Sequence, residues 1–310
     1  MALTFKKKAA VLSALVVVLA AVYILTLVFD PENRRGDSFA WLDPSLVVMA
    51  DGIEIYGPEG KTELRRKNNV WFVMDNAAEW PVKQERVRDF FALLTMRDSY
   101  SRRVSSREGI EGLGLTEDRA SRIIVRGGVG LPLLDLLVGL PDAVGREIYL
   151  RRTGWNQIYS ADDNFSQFTE SKPASWYDLR LFPEISVEAV QQTEVSLTGM
   201  ESYLVRRSGR GWIIPGNESV SLDSIRIDAW LRWLIEAEGE AFAPNPPEVI
   251  EGTITFRLGD GSTRTLQAGP IYEQRTRLVM ISGSPFVYVL PEHMLTLLLR
   301  PASFFFNSSS

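Results

Sequence analysis

The sequence contains no cysteine and a single histidine. The absence of cysteine excludes disulfide bonds, cysteine zinc sites, iron–sulfur centres and a lipid anchor attached to a cysteine. It does not exclude export, because exported chains can dispense with disulfides. His293 alone leaves histidine-based metal sites and Ser–His or Cys–His catalysis almost without suitable groups. The residues therefore predict no catalytic residue, no cofactor and no metal site.

Positively charged residues are also fewer than negatively charged ones. The 34 Lys and Arg residues face 39 Asp and Glu residues, and the formal net charge is −5. A general nucleic-acid binder usually carries a basic face, so we expect no nucleic-acid partner. Hydrophobic residues make up 45% and charged residues 24% of the chain, which is typical of a globular protein. Its 310 residues suffice for one large domain or two of ordinary size.

Long uncharged apolar runs are absent except near the N-terminus. Residues 9–29 carry no charge and would span roughly 31 Å as a helix, which matches a bilayer core of about 30 Å. The alternative, a cleaved signal peptide, has a shorter apolar core that ends at a small-x-small site, and this run offers no convincing one. We therefore expect residues 1–30 to form a transmembrane signal-anchor that contacts the lipid bilayer through residues 9–29.

Three lysines, Lys6 to Lys8, precede this run. By the positive-inside rule they are expected to remain cytoplasmic. The sequence thus predicts a single-pass protein of the inner membrane, with a cytoplasmic N-terminus and a periplasmic or other extracytoplasmic body. Residues 31–45 are polar, contain two prolines and are predicted to be a linker.

One short sequence motif occurs twice in the body of the chain. "LRRKNNVW" ends at Trp71 and "VRRSGRGW" ends at Trp212, so an Arg-Arg pair precedes a Trp by the same spacing in both. Strand–strand–strand–helix–hairpin–hairpin patterns surround both copies. We interpret residues 46–185 and 190–306 as two copies of one duplicated unit, with residues 178–190 as the connector.

Each unit also contains one strongly amphipathic segment. Apolar residues at i, i+3, i+4 and i+7 predict one buried helical face in each unit. These residues are Val87, Phe90, Phe91 and Leu94 in the first unit and Ile227, Trp230, Leu231 and Leu234 in the second. Strands joined by short turns predict an α+β fold in which mostly antiparallel sheet packs on one main helix per unit.

The chain resembles the DUF4340 family of membrane-anchored bacterial proteins. The matching features are the N-terminal apolar run, the strand pairs before Trp71, the helix ending near "LLTMRDSYS", the segment Gly109–Asp118, "QIYSADDN" and "WYDLRLF". The resemblance covers most of residues 45–300. It implies association with ABC-type transport components, including those of gliding-motility systems, and it supplies no catalytic residues.

Several polar clusters are candidates for function. Arg pairs occur at 65/66, 102/103, 151/152 and 206/207 and could bind phosphate or anionic lipid. Adjacent strand residues point to opposite faces, however, so we expect each arginine to end a strand in solvent rather than form a clamp. Asp162, Asp163 and Asn164 could ligate calcium, but they lack the loop pattern of such sites, and a helix N-cap is the favoured interpretation.

Other candidates are expected to be structural. Gly127–Gly130 reads as a hairpin turn rather than a phosphate loop, and His293 as a lone surface histidine. Glu236, Glu238 and Glu240 read as a solvated helix tail. The tryptophans at 71, 212, 230 and 233 are interpreted as core and interface residues rather than a sugar platform. Binding residues remain unassigned.

We expect a non-enzymatic accessory or scaffold protein that acts with a membrane transport or cell-envelope complex. The alternative is a module that binds a peptide or glycan between the two repeat units. An enzyme would require a mechanism based on carboxylates alone.

Overall fold

The computed structural model describes Leu19 and residues 37–103, 107–209 and 211–307. The chain divides into two compact units, Met1–Tyr177 and Asp178–Ser310, which we call unit 1 and unit 2. The predicted anchor at residues 9–29 lies outside the described residues, apart from Leu19. Within the described part, no helix has both the length and the apolar character needed to cross a bilayer.

Unit 1 is built on one antiparallel sheet. Its strands are β1 (Asp37–Phe39), β2 (Ala50–Gly57), β3 (Gly60–Lys67), β4 (Val70–Asp75), β5 (Ala78–Pro81), β6 (Asp98–Arg103), β7 (Ser121–Gly127), β8 (Leu131–Pro141), β9 (Glu147–Arg152) and β10 (Ile158–Asp162). They lie in the order β1-β6-β10-β9-β8-β7-β2-β3-β4-β5. Asn68 and Asn69, with φ of 50° and 64°, form the two-residue turn between β3 and β4. Positive φ at both positions is what a type I′ hairpin requires.

Unit 2 contains a second antiparallel sheet. Its strands are β11 (Val190–Leu197), β12 (Tyr203–Ser208), β13 (Gly211–Ile213), β14 (Ala241–Ala243), β15 (Gly252–Leu258), β16 (Thr263–Tyr272), β17 (Thr276–Ile281) and β18 (Val287–Pro291). They lie in the order β13-β12-β11-β15-β16-β17-β18-β14. The predicted α+β class with mostly antiparallel sheet is confirmed.

The strand orders of the two sheets correspond. Read from β4 to β6, the order β4-β3-β2-β7-β8-β9-β10-β6 in unit 1 matches β13-β12-β11-β15-β16-β17-β18-β14 in unit 2, strand for strand. Unit 1 has two further strands, β1 and β5, at its outer edges. The cross-strand register agrees as well, because Arg66 faces Trp71 and Arg207 faces Trp212.

Each unit has one long helix at the same point in this order. The helices are α1 (Gln84–Thr95) and α3 (Ser224–Ile235). All eight residues predicted to be on their inner faces are buried, and each set belongs to the core cluster of its own unit. Asp223 caps α3 by accepting a hydrogen bond from the Arg226 amide. The described residues also form two short helices, α2 (Arg107–Gly112) and α4 (Glu292–Leu298).

The segments that precede each unit's first long strand belong to the fold. Part of the predicted linker, residues 31–45, forms β1, which pairs with β6, and it buries Trp41 and Leu42. In unit 2 the predicted connector places Arg180 opposite Glu238 and buries Leu181 and Phe182. These apolar side chains explain the difference from a solvated linker, since their burial favours attachment to the sheet.

Unit 1 also has a smaller apolar cluster on the other face of its sheet. In β8, Leu134, Leu136 and Val138 belong to the main core, whereas Leu137 belongs to the smaller cluster. Successive strand residues point to opposite faces, so the two clusters lie on opposite sides of the sheet. Its other buried members are Leu115, Ala120 and Ile158, with Ile110, Leu113 and Tyr149 packed against them.

Candidate interaction surface on helix α3

Helix α3 exposes an apolar stripe on its outer side. Ile225, Ala229 and Trp233 follow one another at intervals of four residues and are all exposed. The exposed fraction is 84% for Ile225 and 58% for Trp233. Residues four apart lie on one face of a helix, so the three form a continuous stripe about 12 Å long. We call these three residues the α3 stripe.

The corresponding helix of unit 1 carries charged residues at two of these three positions. Helices α1 and α3 align with an offset of 140 residues, which places Glu85, Asp89 and Leu93 opposite Ile225, Ala229 and Trp233. Leu93 packs against the core of unit 1, whereas Trp233 is exposed. The fold therefore does not require an apolar outer face on this helix, and the α3 stripe is specific to unit 2.

Helix α3 is fixed in place beneath this stripe. The indole Nε1 of Trp230 donates a hydrogen bond of 2.8 Å to the Leu298 carbonyl oxygen, and both groups are buried. Arg226 Nη1 donates to the Phe304 carbonyl oxygen at 2.7 Å, and its guanidinium lies 5.6 Å from the Phe304 ring. A helix held by these contacts presents the stripe on a preorganised surface.

The tryptophans differ in burial. Trp71, Trp212 and Trp230 are buried, as the core interpretation predicts. Trp233 is exposed and lies in the α3 stripe, outside the core. The inner face of α3 is also apolar, and a helix that is apolar on two faces signals a second contact surface. That double pattern in the sequence could have identified Ile225, Ala229 and Trp233.

The repeated Arg-Arg-Trp motif forms a hairpin in both units, and in each an arginine stacks on the tryptophan. The second arginine of each pair lies over the tryptophan that it faces, with its guanidinium carbon 5.9 Å from the Trp71 ring for Arg66 and 4.6 Å from the Trp212 ring for Arg207. Arg66 also donates to the Val48 carbonyl oxygen at 2.7 Å. The second arginine is therefore a packing residue, which corrects the expectation that it ends a strand in solvent.

The first arginine of the unit 1 pair belongs to a row of ion pairs on the exposed face of the sheet. Arg65 contacts Glu63 at 2.6 Å, Lys61 contacts both Glu63 and Glu54, and Arg126 contacts Glu54 at 2.8 Å. Burial acts to raise the pKa of Glu54. The hydrogen bonds from Arg126 and Tyr56 and the charge of Lys61 outweigh it, so this pKa lies below its usual value. These cations are paired with carboxylates and do not form a free anion clamp.

The arginines of the pair at 151/152 also have separate partners. Arg151 donates to the Leu115 carbonyl oxygen and Arg152 to the Leu133 carbonyl oxygen. Arg103 contacts Glu147 at 2.6 Å. The different partners of Arg151 and Arg152 agree with the expectation that this pair does not form one clamp.

The Asp-Asp-Asn cluster does not cap a helix. Asp162 is the last residue of β10, and the nearest short helix, the 3-10 turn Ser166–Phe168, has Phe165 at its cap position without a side-chain hydrogen bond. The N-cap interpretation is wrong because the strand extends one residue into the cluster. Gly127–Gly130 connects β7 to β8, so the predicted hairpin turn is confirmed.

His293 is exposed and lines a polar cavity of about 550 Å³ in unit 2. Glu240, Arg275, Thr276, Glu292 and Thr296 also line it, and Arg275 contacts Glu292 at 3.0 Å. Among the described residues, no three His, Asp or Glu side chains are grouped closely enough to hold a metal ion. Glu236, Glu238 and Glu240 are exposed, as predicted, but they lie beyond the last helical residue, Ile235, and not in a helix tail.

Comparison with known proteins places the chain in a family but adds no activity. Neither the curated proteins nor the solved structures include a match to this sequence. The model of a domain of unknown function, DUF4340, matches residues 71–251. The match begins at the tryptophan of the first repeated hairpin and ends just before β15, so it includes parts of both units. Since it covers more than half of the chain, this protein belongs to the DUF4340 family.

Proposed function

We propose that the protein is a non-enzymatic accessory or scaffold subunit of a membrane transport or cell-envelope complex, and that the α3 stripe contacts a helix of its integral-membrane partner. The exposed Ile225–Ala229–Trp233 stripe is the observation that carries the proposal. Large exposed apolar residues on one helical face typically mark an interaction surface. Membership of DUF4340 is compatible with this role but does not specify it.

The spacing of the stripe suits another helix. Residues at i, i+4 and i+8 form one of the ridges by which α-helices interlock. Ala229 lies between two large residues, so a partner helix could approach closely at the middle of the stripe. Trp233 supplies the kind of aromatic anchor that is enriched at the centre of protein interfaces.

The proposed location rests on the sequence alone. Residues 9–29 would form the single membrane-spanning anchor, and Lys6 to Lys8 would remain cytoplasmic. The body would then be extracytoplasmic and tethered near the membrane, where an integral-membrane partner is accessible. The equal strand orders support an origin of the two units by duplication, each combining its sheet with one main helix.

Site-specific photo-crosslinking tests this function. A benzophenone amino acid at position 229 of the full-length protein, irradiated in the native membrane, should form an adduct with an integral-membrane transport or envelope protein. The matched control carries the same group at Asp89, the equivalent position of α1. Equal labelling from both positions, or adducts from position 229 with soluble proteins alone, would refute the proposal.

A further inference from the structure

One end of the unit 1 sheet carries exposed apolar side chains. Val48, Met49, Val70 and Leu131 are all exposed, Val48 by 73% and Leu131 by 62%. Val48 and Met49 end the 3-10 helix Pro44–Met49, which leads into β2, while Val70 begins β4 and Leu131 begins β8. We call these four residues the unit 1 apolar end.

The strands that carry these residues are neighbours in the sheet. β4, β3, β2, β7 and β8 are adjacent and antiparallel, so β2, β4 and β8 all begin at this end. Ala50, which follows Met49, lies opposite Gly127, and Gly127 lies opposite Leu131. Neighbouring strands are about 4.8 Å apart, so the apolar end extends about 20 Å across the five strands. Exposed apolar residues grouped in this way mark a contact surface.

Two arginines lie beside the apolar end. Arg66 Nη2 donates a hydrogen bond of 2.7 Å to the Val48 carbonyl oxygen. Arg152 Nη2 donates at 3.3 Å to the carbonyl oxygen of Leu133, two residues after Leu131. In the part of the chain that the structure describes, neither arginine forms an ion pair with a carboxylate. Their remaining N–H groups can therefore bind an anionic group outside the chain, such as a phosphate.

An exposed tryptophan accompanies the two arginines. Trp155 lies in the connection between β9 and β10, and β10 begins at the same end of the sheet as β8. The guanidinium carbon of Arg152 lies 5.3 Å from the centre of the Trp155 ring. Tryptophan is enriched where lipid headgroups meet water. Apolar side chains, a tryptophan and cations on one surface are the combination by which proteins bind at that boundary.

The first strand of unit 1 lies beside this tryptophan. The ring of Phe39, in β1, lies 6.5 Å from the ring of Trp155. Residues 30–36 join the predicted anchor to Asp37, the first residue of β1. Seven residues span at most about 25 Å. An anchor at residues 9–29 would therefore hold β1, and Trp155 with it, close to the bilayer surface.

The opposite end of the same sheet differs in charge. Leu140 and Val144 are exposed there, at the connection between β8 and β9. Asp142 lies between them in the chain and Arg146 follows, so residues 142–146 carry no net charge. The unpaired arginines at the apolar end attract anionic lipid, whereas the connection at the opposite end does not.

We propose that the unit 1 apolar end inserts its side chains into the headgroup region of the bilayer, with Arg66 and Arg152 bound to phosphates of anionic lipids. The inference rests on the proposed membrane anchor and adds a second contact between the chain and the bilayer. Burial of apolar side chains and attraction to anionic lipid act together in such contacts. The membrane would thus fix the orientation of unit 1 as well as its location.

Because the chain contains no cysteine, a single fluorophore can be attached at a chosen position. Leu131→Cys and Val144→Cys are made in the full-length protein, labelled with a nitrobenzoxadiazole group and reconstituted into vesicles of phosphatidylcholine and phosphatidylglycerol. We expect lipids that carry a nitroxide near the headgroup to quench the label at position 131 severalfold more than the label at position 144. Val144 is the matched control, because it is also exposed but lies at the opposite end of the sheet.

The variant Arg152→Gln tests the role of charge in the protein labelled at position 131. It should lower the quenching in vesicles with phosphatidylglycerol to the level found with phosphatidylcholine alone. High salt should have the same effect, because it screens the attraction. Arg146→Gln is the matched control at the opposite end and should leave the quenching unchanged. Circular dichroism of both variants should equal that of the parent protein.

Flotation of the vesicles separates this inference from the proposed function. Protein that does not float with the vesicles would overturn both the anchor and this inference. Floating protein with no quenching at position 131, or with equal quenching at positions 131 and 144, would overturn this inference alone. Quenching that Arg152→Gln leaves unchanged would exclude the contact with lipid phosphate. A label at position 131 that is shielded from a water-soluble quencher but not quenched by lipid would assign this end to contacts between copies of the chain.

Discussion

At the scale of single residues, the two arginines of the Arg-Arg-Trp hairpin have different roles: one packs on the tryptophan and the other is exposed to solvent. Arg207 lies against Trp212, donates to the Val190 and Val187 carbonyl oxygens, and contacts Asp228 at 3.4 Å. Arg206 precedes it in the strand and is exposed. Two identical neighbours therefore have different energetic roles, because strand residues alternate between faces.

Replacing Arg207 by Ala should destabilise the protein by about 1–2 kcal/mol, since stacking and hydrogen bonds are lost together. Arg206→Ala is the matched control and should change stability by less than about 0.5 kcal/mol. Urea denaturation followed by tryptophan fluorescence compares the two. Equal losses would mean that the stacking of Arg207 on Trp212 contributes nothing.

Replacement of a buried threonine should have the opposite effect and increase stability. Thr193 is completely buried in β11 and its Oγ1 has no hydrogen-bond partner. An unpaired buried hydroxyl is costly, and valine has nearly the same shape. Thr193→Val should raise the free energy of unfolding by about 1 kcal/mol.

The control for this change is Thr255→Val. Thr255 Oγ1 lies 3.1 Å from Thr265 Oγ1, so valine removes a hydrogen bond there and should give no gain. Both changes add the same strand-forming residue. A similar gain at both positions would attribute the effect to β propensity rather than to the unpaired hydroxyl.

At the scale of elements, ion pairs join neighbouring strands. Arg122 in β7 donates to both carboxylate oxygens of Asp135 in β8, at 2.9 and 2.6 Å, and Thr153 Oγ1 donates to Oδ1 at 2.8 Å. Burial acts to raise the pKa of Asp135, but these hydrogen bonds and the positive charge of Arg122 outweigh it. The pKa therefore lies below the usual value of an aspartate.

The sign of the pH dependence follows from this lowered pKa. The stabilisation is complete above the unfolded-state pKa of about 4 and is lost as the pH falls through the lower folded-state value. We expect the stability difference between the parent and Asp135→Asn to be constant from pH 5 to 7 and to shrink below about pH 4. Chemical denaturation at a series of pH values measures it. A difference that grows on acidification would contradict the assignment.

A second prediction at this scale concerns the loop containing Leu113, which packs over Gly139 in β8. In Gly139→Ala, the new Cβ atom would meet the backbone oxygen of Leu113, so the loop must move, and we expect a loss of about 1–3 kcal/mol. Gly128→Ala has no atom within 4 Å of its new Cβ and should be nearly neutral. Unchanged stability in both variants would show that the loop containing Leu113 shifts freely.

The sequence predicts those elements whose structure is determined by neighbouring residues. The Asn68–Asn69 turn and the buried face of α1 follow from neighbouring residues, and both are present. Strands β1, β5, β13 and β14 have three or four residues each, too few to show a period. The order of strands in the sheets depends on contacts between distant residues, which a single sequence does not reveal.

For the whole molecule, the proposed contact surface is a feature in which two similar units differ. Their shared strand order places Arg66 opposite Trp71 and Arg207 opposite Trp212 in the same cross-strand register. At the α3 stripe, unit 2 exposes Ile225 and Trp233 where unit 1 has Glu85 and a Leu93 that packs against the core. Periodicity identified the inner face of α3 correctly, but it could not show that Ile225 and Trp233 remain uncovered, because exposure depends on what the rest of the fold packs against them.

The α3 stripe should therefore matter for association and not for stability. In the double variant Ile225→Glu/Trp233→Glu, both charges are exposed, and a glutamate in the first turn of the helix is favourable for the helix dipole. We expect the thermal midpoint to stay within a few degrees of the parent, whereas recovery of the membrane partner after mild cross-linking should fall at least tenfold. Trp230→Ala, on the buried face of the same helix, should instead destabilise the protein by about 3–5 kcal/mol. Unimpaired recovery of the partner with the double variant would exclude the stripe as the docking surface.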